Sequence, residues 1–412
     1  MKSPFSPLRV LLTIGIGTCL SLLGDSSIYT VLPTHTMDAG VTIASVGLLL
    51  SANRWIRLAL NGPMGVMYDR WNRRPIFVAA LFIGAISTAI YGFTNGFWPL
   101  LGGRLLWGLS WAGIWVGGNT IILDITQPHA RGRWMGFYQI AFFMGAASGS
   151  ILGGSLTDLL GFHKTMQLHA GITLLGAIIV LIFLPETRTG VHESASRVAS
   201  PSISPLPSTP QNRFQLLSAF ALHGVNRIVI AGILISTFGL YLLEELGDSI
   251  QIAGRTYGVA TLTGIVLGSA TLISMFSAPL SGTISDRIKN RWRTASGGLI
   301  PGITGLGFLA IGSPITMVLG VPLIAATSGS NQGLSTTLVG EIGRIDKRSQ
   351  RLGMLFTVGD LASALGPMLA YALIPLIQIK GVYILAASLY ASVLLLTLSL
   401  AIRTNNKSSI SV

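Results

Sequence analysis

The sequence predicts an all-α polytopic membrane protein with twelve transmembrane helices, arranged as two pseudo-symmetric six-helix bundles. Half of its 412 residues are hydrophobic, 10% are charged and the mean hydropathy is +0.66, a composition typical of integral membrane proteins. About twelve stretches reach the roughly 20 mostly apolar residues that cross a bilayer. One charged motif occurs twice, 217 residues apart, which indicates an internal duplication.

The predicted spans alternate with mostly short loops. In the first half they cover 8–32, 42–67, 74–93, 97–125, 134–157 and 166–185, and in the second half 214–243, 256–282, 294–312, 314–340, 352–376 and 380–402. Residues 187–213 are rich in serine and proline and cannot form a core. We therefore predict an N-terminal bundle at 1–186, a cytoplasmic linker at 187–213, a C-terminal bundle at 214–402 and a cytoplasmic tail at 403–412.

The distribution of positive charge predicts the orientation. The net charge is +13, and most Lys and Arg residues fall in the termini and even-numbered loops, against Lys164, Arg255 and Lys380 in odd-numbered loops. Because Lys and Arg concentrate on the cytoplasmic side, we expect both termini to lie inside the cell, with the chain in the plasma or inner membrane. The first apolar run lacks a cleavage site and is expected to remain as a helix. The single cysteine, Cys19, excludes a disulfide within one chain.

The duplication extends beyond one loop. Gly65–Arg74 reads G-x-x-x-D-R-x-x-x-R, and Gly282–Arg291 repeats that pattern. With the same offset, Asp124 aligns with Glu341. The two halves align without an insertion from the second to the fifth helix of each half. This predicts two parallel six-helix repeats.

These motifs resemble those of the major facilitator superfamily over essentially the whole chain. Gly65–Arg74 resembles the family signature between helices 2 and 3, with Asn72 in place of glycine. Arg104-x-x-x-Gly108-x-x-x-Ala112 resembles the pattern of its proton-coupled members. The glycine motif of the fifth span resembles the antiporter signature with Ser150 in place of proline; its glycines are Gly145, Gly149, Gly153 and Gly154. The resemblance favours the drug:proton antiporter branch, with a proton gradient as the energy source and no cofactor.

The resemblance also implies that the two charged loops close the cytoplasmic side. Asp69 would meet the cytoplasmic end of the eleventh span, while Arg70 and Arg74 would reach Asp124. Gly65 would allow a neighbouring helix to approach. The second loop would act likewise through Gly282, Asp286, Arg287, Arg291 and Glu341. Such pairs would hold the closed state by about 1–3 kcal/mol. The alternative is that the arginines only fix topology.

Ionisable side chains inside the spans are the best sequence indication of a transport path, because a charge facing lipid costs at least about 2.5–3.5 kcal/mol. They are Asp25, Arg54, Arg57, Arg104, Arg227 and Asp360. Asp25 and Asp360 are candidates to bind a proton or substrate, since a buried carboxylate can exchange a proton near neutral pH. Alternatively, Asp25 forms a fixed salt bridge with Arg54 or Arg104. The family resemblance implies a proton-relay role for Arg104.

Arg54 and Arg57 lie on one helix face with Asn53 and Asn61, so this polar stripe must face protein or water. It either binds an anionic substrate group or pairs with backbone carbonyls. Further candidates for a cavity lining are Tyr29, Asn53, Asn119, His223, Asn226, Asn331 and Gln332. The histidine is either titratable or a packing residue. The glycines of the fifth span serve either exchange or close helix packing.

The preferred interpretation is a monomeric secondary transporter that works by alternating access, with proton-coupled export of small amphipathic molecules. Its partners would be a small-molecule substrate, protons and the lipid bilayer, without nucleic acid. The alternative is transport of an organic anion or another polar metabolite, favoured by four in-span arginines against two acids. No lysine follows a glycine, so no phosphate-binding loop of an ATP-driven pump is present, and no common catalytic motif indicates an enzyme.

Overall fold

The computed structural model describes residues 6–127, 130–188, 210–252, 254–342 and 348–408. Six helices form the first half: α1 Pro7–Val31, α2 Ile43–Arg70, α3 Arg73–Phe93, α4 Phe97–Ile125, α5 Arg131–Leu160 and α6 Phe162–Phe183. The second half contains α7 Pro210–Arg227, a π-helical segment Ile228–Leu234, α8 Ile235–Leu246, strands β1 Ser249–Ile252 and β2 Arg255–Gly258, α9 Val259–Ile288, α10 Arg291–Ile311, α11 Pro314–Glu341 and α12 Arg348–Ser408.

Ten of the described helices, counting α7 to α8 as one, are long and apolar enough to cross a membrane. α12 comprises two helices, which correspond to the eleventh and twelfth predicted spans. They meet at a non-helical break at Gln378, where φ is 61° and ψ is 168°. α11 coincides with the tenth predicted span, and its polar stretch from Ser328 to Gln332 lowers its hydropathy. The described helices agree with the predicted polytopic α-helical class.

The seventh predicted span is continuous but irregular. Its π-helical segment Ile228–Leu234 separates α7 from α8. Gly232, within this segment, packs so closely against Gly366 of α12 that a Cβ atom would lie 2.7 Å from the Gly366 Cα. The two glycines therefore permit backbone contact at the point where the helix widens.

A β-hairpin is the element that the sequence analysis missed. β1 and β2 pair antiparallel, with Ser249 opposite Gly258 and Ile252 opposite Arg255. Gly254, in the turn, has a φ of 76°, which glycine adopts without strain. The hairpin delays the eighth span, which begins at Val259 rather than at 256.

The chain divides into two compact units. The first unit comprises Met1–Val198 and Phe238–Gly268, and the second comprises Ala199–Thr237 and Ser269–Val412. In the first unit α1 packs on α5 and α6, and α3 packs on α4 and α6. In the second unit α10 packs on α11 and α12, and α12 packs on α7. The division between bundles at residues 187–213 stays a prediction.

An aromatic column stabilises the first unit. Trp107, Trp111 and Trp115 follow one another by one helical turn along α4, with ring centroids 6.0 Å and 5.7 Å apart, and Trp115 stacks on Tyr138 of α5 at 6.0 Å. Trp107, Trp111 and Tyr138 are buried in the hydrophobic core. These rings pack helices α4 and α5 together.

The glycine face of α5 is covered on two sides. A Cβ atom on Gly145 or Gly149 would lie within 3 Å of the α1 backbone, and one on Gly153 would clash with Ser27 of α1. Gly154 faces α9 instead, where a Cβ atom would collide with the carbonyl of Ala260. The close-packing interpretation of this motif is therefore supported by the geometry.

Replacing Gly154 by valine is expected to lower the thermal unfolding temperature of the purified protein in detergent. The new side chain would force α5 and α9 apart at a cost of about 1–3 kcal/mol. Gly136→Val is the matched control, because Gly136 lies on the same helix and a Cβ atom there meets no described atom within 4 Å. Equal unfolding temperatures for the two variants would contradict this account.

Candidate functional site

A buried ion pair lies at the centre of the candidate site. Arg104 Nη1, on α4, donates to Asp25 Oδ1, on α1, at 2.6 Å, and the two side chains are 1% and 16% exposed. Arg104 Nε also donates to the carbonyl of Leu49, on α2, at 3.2 Å. One guanidinium thus connects three helices.

Tyr29 completes this cluster. Its ring faces two cations, with Arg54 Cζ at 4.8 Å and Arg104 Cζ at 4.7 Å from the ring centroid. Its hydroxyl shares its one hydrogen between the carbonyl of Leu50, at 2.8 Å, and Asn53 Oδ1, at 3.0 Å. Cation–π contacts in a site shielded from water are worth about 2 kcal/mol, so Tyr29 helps to hold both guanidiniums in place.

Of the alternatives for Asp25, the described conformation contains the salt bridge, and its partner is Arg104. A role of Asp25 in binding a proton or substrate stays a prediction.

The four residues of the predicted polar stripe on α2 differ in burial. Arg54 and Asn53 are buried, and Asn53 accepts from Tyr29. Arg57 and Asn61 are half-buried. Anion binding by Arg54 and Arg57 stays a prediction.

Two candidate residues of the second unit, His223 and Asn226, form hydrogen bonds with neighbouring helices. His223 Nδ1 lies 3.1 Å from Ser335 Oγ. Asn226 donates to the carbonyl of Ser328 at 3.1 Å and accepts from the Tyr390 hydroxyl at 3.0 Å. Both are buried, so these hydrogen bonds satisfy their polar groups.

Arg227 and Asp360 are half-buried in the same unit. The Arg227 side chain packs beside Gly359, where a Cβ atom would lie 3.3 Å from Arg227 Cγ. Gly359 immediately precedes Asp360 on α12. A proton or substrate role for either residue stays a prediction.

The polar candidates on α11 and α4 differ in their surroundings. Asn331 is 0% exposed, and neither atom of its amide has a hydrogen-bond partner among the described residues. A buried polar group without a partner costs about 1–3 kcal/mol. A role of Asn331 in lining a cavity stays a prediction. Gln332 is half-buried, whereas Asn119 donates to the Trp115 carbonyl of its own helix at 2.6 Å.

The first charged loop corrects one expected pairing. Asp124 Oδ2 accepts from Arg73 Nε at 3.1 Å, rather than from Arg70 or Arg74. Arg74 Nη2 donates to the Leu181 carbonyl at 2.6 Å, and the Arg70 carbonyl accepts from Arg188.

The reason is a one-residue difference between the repeats. The 217-residue offset aligns Arg291 with Arg74, but α3 begins at Arg73 while α10 begins at Arg291. Lys289, with a φ of 58°, and the N-cap Asn290 delay the start of α10. In both loops the arginine that begins the helix pairs with an acid near the end of the following helix, Asp124 of α4 or Glu341 of α11.

In the second loop, Arg291 pairs through Nη2 with Glu341 at 3.1 Å, which is the partner expected from the resemblance. Arg291 also pairs with Asp286, which was not expected. Arg287 and Asp69 are exposed. Around Gly65 and Gly282, no described atom of their own units lies within 4 Å of an added Cβ, so the expected close approach at Gly65 is absent within its unit. Closure of the cytoplasmic side by these loops stays a prediction.

Two further anchoring carboxylates had no assigned role in the sequence analysis. Glu186 accepts from the backbone N–H groups of Arg73 and Arg74 at 3.0 Å and 3.1 Å, at the start of α3. Asp158, at the end of α5, accepts from the Thr261 N–H at 2.7 Å, in the first turn of α9. A carboxylate at a helix N-terminus satisfies unpaired donors and the helix dipole. Glu186 lies in the sequence Pro185-Glu186-Thr187, which resembles the ending of the sixth span in the superfamily, so the sequence contained a signal for it. The contact of Asp158 follows the hairpin, which the sequence analysis did not predict.

The comparisons with known proteins agree with these motifs. The family model of the Major Facilitator Superfamily matches residues 14–345 and 261–411. The class G tetracycline resistance protein of Vibrio anguillarum is 26% identical over 375 residues, 88% of each chain. The class B protein of Escherichia coli is 23% identical over 358 residues, 85% of each chain.

Among solved structures, the chain resembles a bacterial homologue of the human lysosomal transporter Spinster, in an inward-facing and occupied conformation. The TM-score is 0.75 at 18% identity, and the similarity covers 96% of both chains. At this level of identity, the comparison shows the fold alone.

The corrected pairing of the first loop is testable by double-mutant cycles. Arg73→Gln and Asp124→Asn are expected to couple by about 0.5–1.5 kcal/mol in thermal or denaturant unfolding, because each removes the same half-buried ion pair. In the matched cycle, Arg74→Gln and Asp124→Asn should add within about 0.5 kcal/mol. Coupling of Asp124 to Arg74 and not to Arg73 would contradict the assignment.

Proposed function

Since this chain belongs to the Major Facilitator Superfamily, we propose that it is a secondary active transporter that exports small amphipathic molecules in exchange for protons. The family match confirms the predicted family and the prediction of a transporter rather than an enzyme. The chain is an integral multi-pass membrane protein. Proton coupling, substrate class and direction are the parts that we propose.

The Asp25–Arg104 ion pair carries the proposal. In one state Asp25 is ionised and held by Arg104 at 2.6 Å. In the other, a proton neutralises Asp25 and frees the Arg104 guanidinium from its counter-ion. Because Arg104 also bonds to the α2 backbone and contacts Tyr29, this change alters contacts among α1, α2 and α4. Protonation is thereby linked to helix packing beside the proposed substrate path.

The amphipathic substrate class has separate support. Two of the relatives that align over most of the chain are named as tetracycline resistance proteins, which makes tetracycline the first compound to test. In the second unit, the buried amide of Asn331 supplies a donor and an acceptor for a polar group of the substrate. A small number of polar groups of this kind suits a molecule that is itself mostly apolar.

The second candidate is an organic-anion transporter. It is favoured by the charge balance at Tyr29, where Arg54 and Arg104 face one ring and the carboxylate of Asp25 is the acid paired with Arg104. An anionic substrate would add negative charge to this cationic cluster.

We also propose that both termini are cytoplasmic, that the protein resides in the inner or plasma membrane and that it acts as a monomer. The orientation is supported by the arginines at the ends of α2 and α9 and at the starts of α3 and α10.

Asp25→Asn is expected to abolish proton coupling. In proteoliposomes with an acidic lumen, an antiporter takes up tetracycline as protons leave, and the variant should lose this acceleration by at least about tenfold. Exchange of labelled for unlabelled tetracycline without a gradient should persist, since it needs no net proton movement. Asp38→Asn, which alters an exposed loop residue, is the control and should couple normally.

Asp25→Asn leaves the Arg104 charge buried without its partner, at a cost of about 3–5 kcal/mol. The double variant Asp25→Asn with Arg104→Gln removes both charges, and should fold and remain uncoupled. Retained acceleration in either folded variant would contradict the proton site. Gradient-driven uptake of succinate, with none of tetracycline, would favour the organic-anion candidate.

A further inference from the structure

The first unit contains an apolar groove that the transport proposal does not use. It lies between α2 and α3, reaches Leu109 of α4 and has a volume of about 790 Å³. The inner part of the groove is lined by apolar side chains, whereas its mouth carries two arginines. This combination indicates what kind of molecule the groove binds.

The deep part of the groove is lined by two helical stripes. Met64 and Met67 line it from α2, and Ile76, Ala79 and Ile83 line it from α3. At 1.5 Å per residue, the α3 stripe extends for about 10 Å along the helix. Ala79 is exposed, so the groove opens along its side. A flexible apolar chain fits such a surface, and the two methionines adapt to its shape.

The mouth of the groove is cationic. Arg70, at the end of α2, and Arg188, after α6, both line it, and the Arg188 guanidinium donates to the Arg70 carbonyl. Glu186 is the acid nearest in sequence to Arg188, but its carboxylate accepts from the backbone N–H groups of Arg73, Arg74 and Arg188. Two like charges at one rim attract an anion.

Trp71 indicates where the mouth of the groove lies along the membrane normal. It lines the mouth between Arg70 and the start of α3, and it is 59% exposed. Tryptophan is enriched where membrane-spanning helices meet the lipid headgroups. The mouth therefore lies at the headgroup level of the leaflet at this end of the unit, and the groove extends toward the hydrocarbon.

We propose that this groove binds an anionic phospholipid. One acyl chain packs between α2 and α3 against Met64, Met67 and Ile83, while the phosphate lies between Arg70 and Arg188. The proposal rests on the charge at the mouth and the apolar depth, and it does not depend on which solute the protein transports.

Native mass spectrometry of the delipidated, full-length protein tests the proposal with phosphatidylglycerol and phosphatidylcholine of identical acyl chains. The intact protein should retain phosphatidylglycerol roughly tenfold more tightly. Arg188→Gln should reduce this preference roughly fivefold, since one cation near an anionic headgroup is lost. Arg188 is chosen over Arg70 because Arg70 belongs to the predicted closing loop.

Ala79→Trp should weaken binding of both lipids at this site by roughly tenfold, because the indole fills the groove. Ile86→Trp is the matched control: Ile86 is an exposed residue of α3, seven positions further along and outside the groove, and its replacement should leave binding unchanged. Equal affinity for the two lipids, or equal effects of the two tryptophan variants, would overturn the proposal. Displacement of the lipid by inorganic phosphate alone, or by tetracycline, would also overturn it, by assigning the groove to a free anion or to the transported solute.

Discussion

The ion pair between Asp25 and Arg104 is the interaction on which the first unit depends. Taking a carboxylate and a guanidinium out of water costs several kcal/mol per ion, and only close geometry and further hydrogen bonds offset that cost. Here the pair is 2.6 Å long, the guanidinium reaches the Leu49 carbonyl, and Tyr29 covers its face. An apolar pair would fill the space at a lower cost, and the proposed proton coupling gives the two charges a role that an apolar pair could not have.

The charged loops show how a duplicated sequence preserves an interaction while shifting its register. In each loop, the arginine that begins a helix binds an acid near the end of the following helix. The pairs are Arg73 with Asp124 in the first unit and Arg291 with Glu341 in the second. The sequence offset aligns Arg291 with Arg74, yet the helix start selects Arg73. Position within the helix, rather than position in the motif, therefore decides which side chain reaches the carboxylate.

Much of the fold follows from the sequence, because a bilayer demands long apolar helices and leaves few alternatives. The predicted spans and observed helices agree within a few residues at most ends. The choice of Arg104 over Arg54 as the partner of Asp25 depends on how α1, α2 and α4 pack, and no local pattern encodes it. Asn331 was predicted as a polar lining residue, but its unsatisfied amide emerges only from packing. The sequence analysis did not predict the hairpin before α9, because a short pair of polar strands resembles a loop in sequence.

The central claim is that Asp25 alternates between a proton and Arg104. Infrared difference spectroscopy of the reconstituted protein measures this directly, through the carbonyl stretch of a protonated carboxyl group. We predict that acidification produces such a band, that Asp25→Asn removes it, and that substrate binding changes its intensity in the intact protein but not in that variant. A band that persists unchanged in Asp25→Asn, or an intact protein with no band across the pH range of transport, would contradict the account.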